Sequence, residues 1–170
     1  MERQARQELK LQVWSNVARE VSKLSTCKFT QVGCVLLTED FKVISTGYNG
    51  TVAGAKHCCD ITHADRTAHG HFADMKEIHA EMNAILQVSD RSSLKNSICF
   101  STLQPCYNCI KHMVQAGVTD IYFSEEYWRI NKDEYISNIT NSYVEVNIFK
   151  LLINEDLDKN RINVLAEKWL

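Results

Sequence analysis

The sequence predicts an α/β domain, a single mixed sheet with helices on its faces. Five short β-rich runs alternate with stretches that carry apolar residues at helical spacing, in the order α-β-β-α-β-α-β-α-β. Length and composition agree: 170 residues, 45% hydrophobic content and one proline fit one globular domain. Its core is expected over residues 8–150, with 151–170 as a tail.

Residues 8–24 place Leu9, Val13, Val17, Val21 and Leu24 on one stripe, which predicts an amphipathic first helix. The runs 32–37 and 42–46 flank Thr38-Glu39-Asp40 and read as a β-hairpin. Gly47-Tyr48-Asn49-Gly50 follows, then a polar stretch to about Met75 that holds four of the six histidines. A loop of that length in a compact domain is usually functional or held by something. Residues 78–88 read as a helix with Ile78, Met82, Ile85 and Leu86 on one side, and 97–103 as a strand. Pro105 suits a helix start, where its missing N–H costs nothing, and Gly117 suits the helix end. A strand is expected over 119–124, a helix over 133–141 and a strand over 143–149. The charged residues 155–170 are expected to close the chain with a short helix.

No run approaches the length of a membrane span, and the charged start, Met1-Glu2-Arg3-Gln4-Ala5-Arg6, carries no secretory signal. The expected location is the cytoplasm. There the seven cysteines read as metal ligands and buried small hydrophobes, not as a disulfide framework. Acids and bases are mixed along the chain, with a net charge of −2. Binders of nucleic-acid polymers carry a basic face, so the balance favours a small substrate.

His79-Ala80-Glu81 and Pro105-Cys106-Tyr107-Asn108-Cys109 carry the chemistry. One imidazole and two thiolates supply three zinc ligands and leave the fourth tetrahedral position open, as a catalytic site requires. Cys106 and Cys109 stand three apart at a helix start, so both thiols point to one side and the helix dipole favours the thiolate. His79 and Glu81 open the other helix, and the metal is expected between the two helix N-termini. Zinc brings bound water to a pKa near ~7, which makes hydroxide available as a nucleophile at neutral pH. Glu81 is not needed as a ligand and is free to move protons as a general acid–base. A purely structural staple would be closed by four ligands and has no use for that acid. The pattern H-x-E…P-C-x-x-C resembles the signature of the zinc-dependent nucleobase deaminases.

Upstream residues narrow the resemblance. Gly47-Tyr48-Asn49-Gly50-Thr51-Val52-Ala53-Gly54, then Cys58-Cys59-Asp60, then residues 77–85 resemble the deoxycytidylate (dCMP) deaminases, the T-even-phage type above all. The resemblance runs over about residues 22–149. It implies a three-layer α/β/α cytidine-deaminase-like fold around one mixed five-stranded sheet. It also implies conversion of dCMP to dUMP for thymidylate synthesis by a cytoplasmic homohexamer, activated by dCTP and inhibited by dTTP. Carried over by position, Asn49 contacts the deoxyribose hydroxyl and the Ala80 N–H the pyrimidine O2. Tyr127 lies near the nucleotide, and Arg91 is the phosphate cation, with Lys28 and Arg129 as alternatives. Gly47, Tyr48, Asn49, Gly50, Thr51 and Gly54 belong to the loop that holds the regulatory triphosphate with Mg2+. Here the interval from His79 to Cys106 is shorter by a residue, and Gln87 replaces an aromatic.

The same resemblance makes Cys27, Cys58, His69 and Glu77 the ligands of a second, structural zinc, two zinc ions per chain in all. The polar stretch has little apolar content to offset its ordering, and a metal tying it to Cys27 would supply that stability. Cys59 is the alternative to Cys58, whereas His57, His63 and His71 read as solvated loop histidines. Cys34 and Cys99 read as core residues. Two other functions compete: a tRNA adenosine or other nucleobase deaminase, and a catalytically idle zinc-binding regulatory module. The first normally reaches its catalytic histidine soon after the Gly-aromatic-Asn turn, whereas here 29 residues separate Asn49 from His79. Retention of Glu81 opposes the second.

Overall fold

A computed structural model describes residues 3–127, 131–142, 146–156 and 161–169. Helix α1 (Arg3–Ser22) leads into the antiparallel hairpin of β1 (Gly33–Leu37) and β2 (Val43–Tyr48). Strands β3 (Gly50–Thr51) and β4 (Glu77–Ile78) form a separate ribbon, with α2 (Arg66–Lys76) between them in the chain. The catalytic motifs follow on α3 (Ala80–Leu86), β5 (Ser97–Leu103) and α4 (Tyr107–Ala116). Strand β6 (Val118–Glu125), α5 (Lys132–Ser142), β7 (Asn147–Asp156) and β8 (Arg161–Lys168) complete the fold. The main sheet runs β2-β1-β5-β6-β7-β8, parallel across β5–β6–β7 and antiparallel elsewhere.

Alternation along the strands builds two cores. Val35, Leu37, Ile98 and Phe100 meet Leu11 and Ala18 of α1 on one face. Cys34, Leu36, Cys99, Ile121 and Phe123 meet Ala84, Ile110, Met113 and Ile139 of the other helices on the opposite face. The result is the expected three-layer α/β/α arrangement. No helix among the described residues is long and apolar enough to cross a membrane.

Several elements differ from expectation. The main sheet has six strands, not five, because the charged C-terminal stretch forms part of a β7–β8 hairpin and not a helix. An edge strand is exposed, so charged residues suit it and weaken the apolar signal that would mark it. Trp169 closes that hairpin: its N–H bonds to Ile148 O, and its ring packs against Phe123 and Tyr135. The strand expected over 143–149 begins at Asn147, and residues 143–145 lie outside the described residues.

Helix α1 turns a different face inward. Leu11, Ser15, Ala18 and Ser22 are buried, whereas Leu9 and Val13 of the apolar stripe are exposed. The cause is close approach: a Cβ on Gly33 would stand 2.1 Å from Ala18 O and 2.5 Å from Ser22 N, so small residues must face the sheet there. The polar stretch before Met75 is not all loop. Asp65 caps α2 by accepting the Ala68 N–H, and His69 and Ala73 form its buried side. Pro105 stands just before the N-cap of α4, which is Cys106, while Gly117 ends that helix at φ 113° as expected. Ile78 belongs to β4, so α3 is shorter than its apolar pattern.

Candidate active site

Two helix N-termini meet as the spacing predicts. His79 is the N-cap of α3 and Cys106 the N-cap of α4, with Cys109 in the first turn. His79 Nδ1 lies 3.5 Å from Cys106 Sγ and 3.4 Å from Cys109 Sγ. Tetrahedral zinc with ordinary Zn–N and Zn–S bonds places such atoms about 3.5 Å apart, so this donor set fits the ion. The hydrogen bond from Cys109 pulls the Cys106 thiol down to about 4, with His79 assisting against burial. The bond to Cys106 and burial hold Cys109 well above the ordinary thiol range.

Glu81 lies in the first turn of α3 at 3% exposure. Burial lifts its carboxyl above the usual carboxylate range, against the pull of its own N–H and of His79. Ser101 Oγ donates to its Oε1 at 3.4 Å. Ser101 was not legible as a site residue. Its signal was only its place on β5, the strand that carries the chain toward Cys106.

A cavity of about 900 Å³ opens over this cluster. Ala80 lines it, and its N–H, in the first turn of α3, has no intrahelical partner. Asn49 also lines it at 6% exposure; its Oδ1 accepts the Val32 N–H and its Nδ2 donates to Thr30 O. An amide keeps one further donor and acceptor after those two bonds. Tyr127 stands at the wall, half exposed, and donates its N–H to Gln104 Oε1. Gln104, buried and directly before Pro105, is a wall residue that sequence reading passed over. Arg91 is not brought to this cavity: it is exposed on the 3-10 turn Arg91–Leu94. Gln87 is exposed at the end of α3, so Leu86 is the α3 residue that lines that side. Lys28 donates to Ile61 O, and Arg129 lies outside the described residues.

Cys27, Cys58, His69 and Glu77 also converge, with one ligand atom from each within 4.8 Å of the others. Cys27 Sγ is 3.2 Å from His69 Nε2. Glu77 Oε1 is buried without a hydrogen-bond partner, which suits a cation. Burial pushes the Cys27 thiol up to about 11. Cys58 is fully buried in the group, whereas Cys59 is exposed. His63 departs from the solvated reading, half-buried with its Nε2 3.4 Å from Cys58 Sγ, whereas His57 is exposed, its Nδ1 facing the Thr26 and Thr51 hydroxyls. His71 is exposed.

The segment expected to be a regulatory loop is more ordered than a turn. Gly47 and Tyr48 end β2, while Gly50 and Thr51 pair with Ile78 and Glu77. A Cβ on Gly47 would meet Ala80 O at 2.2 Å and Ala84 N at 2.4 Å, so this glycine lets β2 lie against α3. Gly54, at φ +82° in open space, is the turn glycine of the segment. Tyr48 is 40% exposed, and its carbonyl accepts from Asn83 Nδ2.

Comparison with known proteins agrees with this architecture. Residues 9–125 match the family described as the cytidine and deoxycytidylate deaminase zinc-binding region. The chain is 31% identical to the deoxycytidylate deaminase of Enterobacteria phage T4, covering 82% of this chain and 90% of that protein. Identity to the phage T2 deoxycytidylate deaminase is 29%, over 79% and 90% of the two chains. The crystal structure of the cyanophage S-TIM5 dCMP deaminase with dCMP and dUMP is similar at a TM-score of 0.62 and 28% identity, covering 87% of this chain and 98% of that one. The chain belongs to the cytidine and deoxycytidylate deaminase family. It is an enzyme, a deaminase of the zinc-dependent class.

Proposed function

We propose that this enzyme hydrolyses dCMP to dUMP and ammonia in the cytoplasm, supplying dUMP for thymidylate synthesis. The observation that carries this reading is the buried Glu81 beside the His79, Cys106 and Cys109 donors, at the wall of a cavity that also holds Asn49 and Tyr127. The names of the phage relatives and the dCMP and dUMP bound in the cyanophage enzyme support the choice of base and sugar. Zinc, when held by these three residues, supplies Lewis acidity that makes hydroxide available near neutral pH. The Ala80 N–H donates to the pyrimidine O2, and the Asn49 side-chain amide hydrogen-bonds the deoxyribose hydroxyl. Glu81 takes one proton of the attacking water and delivers it to ring N3; it then takes the proton of the new C4 hydroxyl and passes it to the exocyclic amino group as the C4–N bond breaks and the C4 carbonyl forms. Ser101 orients the carboxylate for those transfers. Incubation with dCMP should yield dUMP and ammonia in equal amounts by chromatography and ammonia assay; no turnover of dCMP would contradict the reading.

Cys27, Cys58, His69 and Glu77 hold a second, structural zinc in this proposal, supported by the convergence of four donors and the unpartnered Glu77 oxygen. Elemental analysis should find about two zinc ions per chain and about one in Cys27→Ser. A wild-type value of one would remove the second site.

Regulation is part of the same reading. The triphosphate with its Mg2+ binds at residues 47–54 of a homohexamer. The β3–β4 ribbon offers a route for coupling, because Thr51 pairs with Glu77, two residues before His79. A ligand alters activity only by binding two states differently. At subsaturating dCMP, dCTP should therefore raise the rate and dTTP lower it; flat responses to both would take the regulatory role away from this segment.

A further inference from the structure

We propose that Arg66 binds the 5′-phosphate of the substrate and so selects nucleotide over nucleoside; this rests on the dCMP reading above. The active-site cavity meets a second cavity of about 740 Å³, and Phe29, Thr30, Arg66, Leu103 and Tyr127 line both. The second cavity touches none of His79, Glu81, Cys106 or Cys109. The shared residues therefore mark the side of the active-site cavity away from the reacting end of a bound cytosine. A 5′-substituent of a nucleotide held by its base at the metal donors points to that side.

Arg66 is the sole lysine or arginine among the described residues that line the active-site cavity. Its guanidinium lies over the Phe29 ring, 5.9 Å from the centroid. Phe29 in turn packs on the His69 ring at 4.1 Å, so the residue group around the second zinc props the arginine from behind. No carboxylate among the described residues forms an ion pair with Arg66. Its charge is thus available to a ligand, and its planar fork matches two phosphate oxygens at once. The other candidate cations are placed differently. Arg91 lines neither cavity, Lys28 bonds to Ile61 O, and Lys150 is paired with Glu126 at 2.8 Å.

The test compares dCMP with deoxycytidine in wild type, Arg66→Ala and Arg66→Lys. Arg66→Ala should lower kcat/KM for dCMP about 10- to 100-fold, mainly through KM, while leaving deoxycytidine unchanged. Arg66→Lys should fall between, since it keeps the charge and loses the fork. Displacement by dUMP against deoxyuridine gives the same comparison by binding alone, and circular dichroism checks that both variants fold. A wild type that prefers dCMP, with that preference intact in Arg66→Ala, overturns the assignment to Arg66. Equal losses for dCMP and deoxycytidine overturn it as well, because the phosphate is then not what Arg66 reads. A wild type that never deaminates dCMP fails earlier, at the function itself.

Discussion

Glu81→Gln is expected to lower kcat for dCMP by at least about 10³-fold, near the upper range for removal of a general acid–base group. Glutamine keeps the shape of the side chain and can still accept from Ser101 Oγ, so the floor of the cavity should stay in place. What it lacks is a site that can take a proton from water and return it to the ring. The carboxyl is 3% exposed, so water cannot readily serve as a substitute base from that side. Removing a buried ionisable group without leaving a hole should cost little stability. Zinc content and thermal unfolding should therefore match wild type while ammonia release collapses. A variant with full turnover would falsify the proton-shuttle role.

The second large effect is on stability. Gly47→Ala places a methyl group 2.2 Å from Ala80 O and 2.4 Å from Ala84 N, both backbone atoms of α3. No rotamer change can relieve such an overlap, so β2 and α3 must separate. Overpacking of this kind costs about 3 kcal/mol or more, which lowers Tm by roughly 6–12 °C in a chain of this size. Displacement of Ala80 also disturbs His79 and Glu81 on either side of it, so activity should fall further than the unfolded fraction explains. Thermal unfolding and kcat on the same preparation check both. An unchanged Tm would mean that the contact between β2 and α3 is looser than the backbone distances imply.

The legible parts of this molecule were those set by local spacing. His79 with Glu81, and Cys106 with Cys109, owe their geometry to single helix starts, and the three-residue step between the cysteines turns both sulfurs to one side. The strand Ser97–Leu103 needed only its apolar run between polar flanks. Other features depend on distant contacts. The buried face of α1 was read as its bulkiest stripe, whereas Gly33 across the interface demands the small residues. Helix α2 was hidden because its inward side is a histidine and an alanine, not a leucine stripe. The last strand was hidden by charges that an exposed edge tolerates. The side of the cavity that carries Arg66 was the least legible. A lone arginine in a polar stretch looks like any surface cation until the fold sets it beside Phe29 and Tyr127.

The most direct test of the assignment is ammonia release measured side by side from dCMP, cytidine, dCTP and an adenosine-containing tRNA loop, at equal enzyme and with zinc supplied. The expected result is the highest kcat/KM for dCMP by a wide margin, with no inosine formed in the RNA. Preferential turnover of the RNA, or of none of the four, would contradict it.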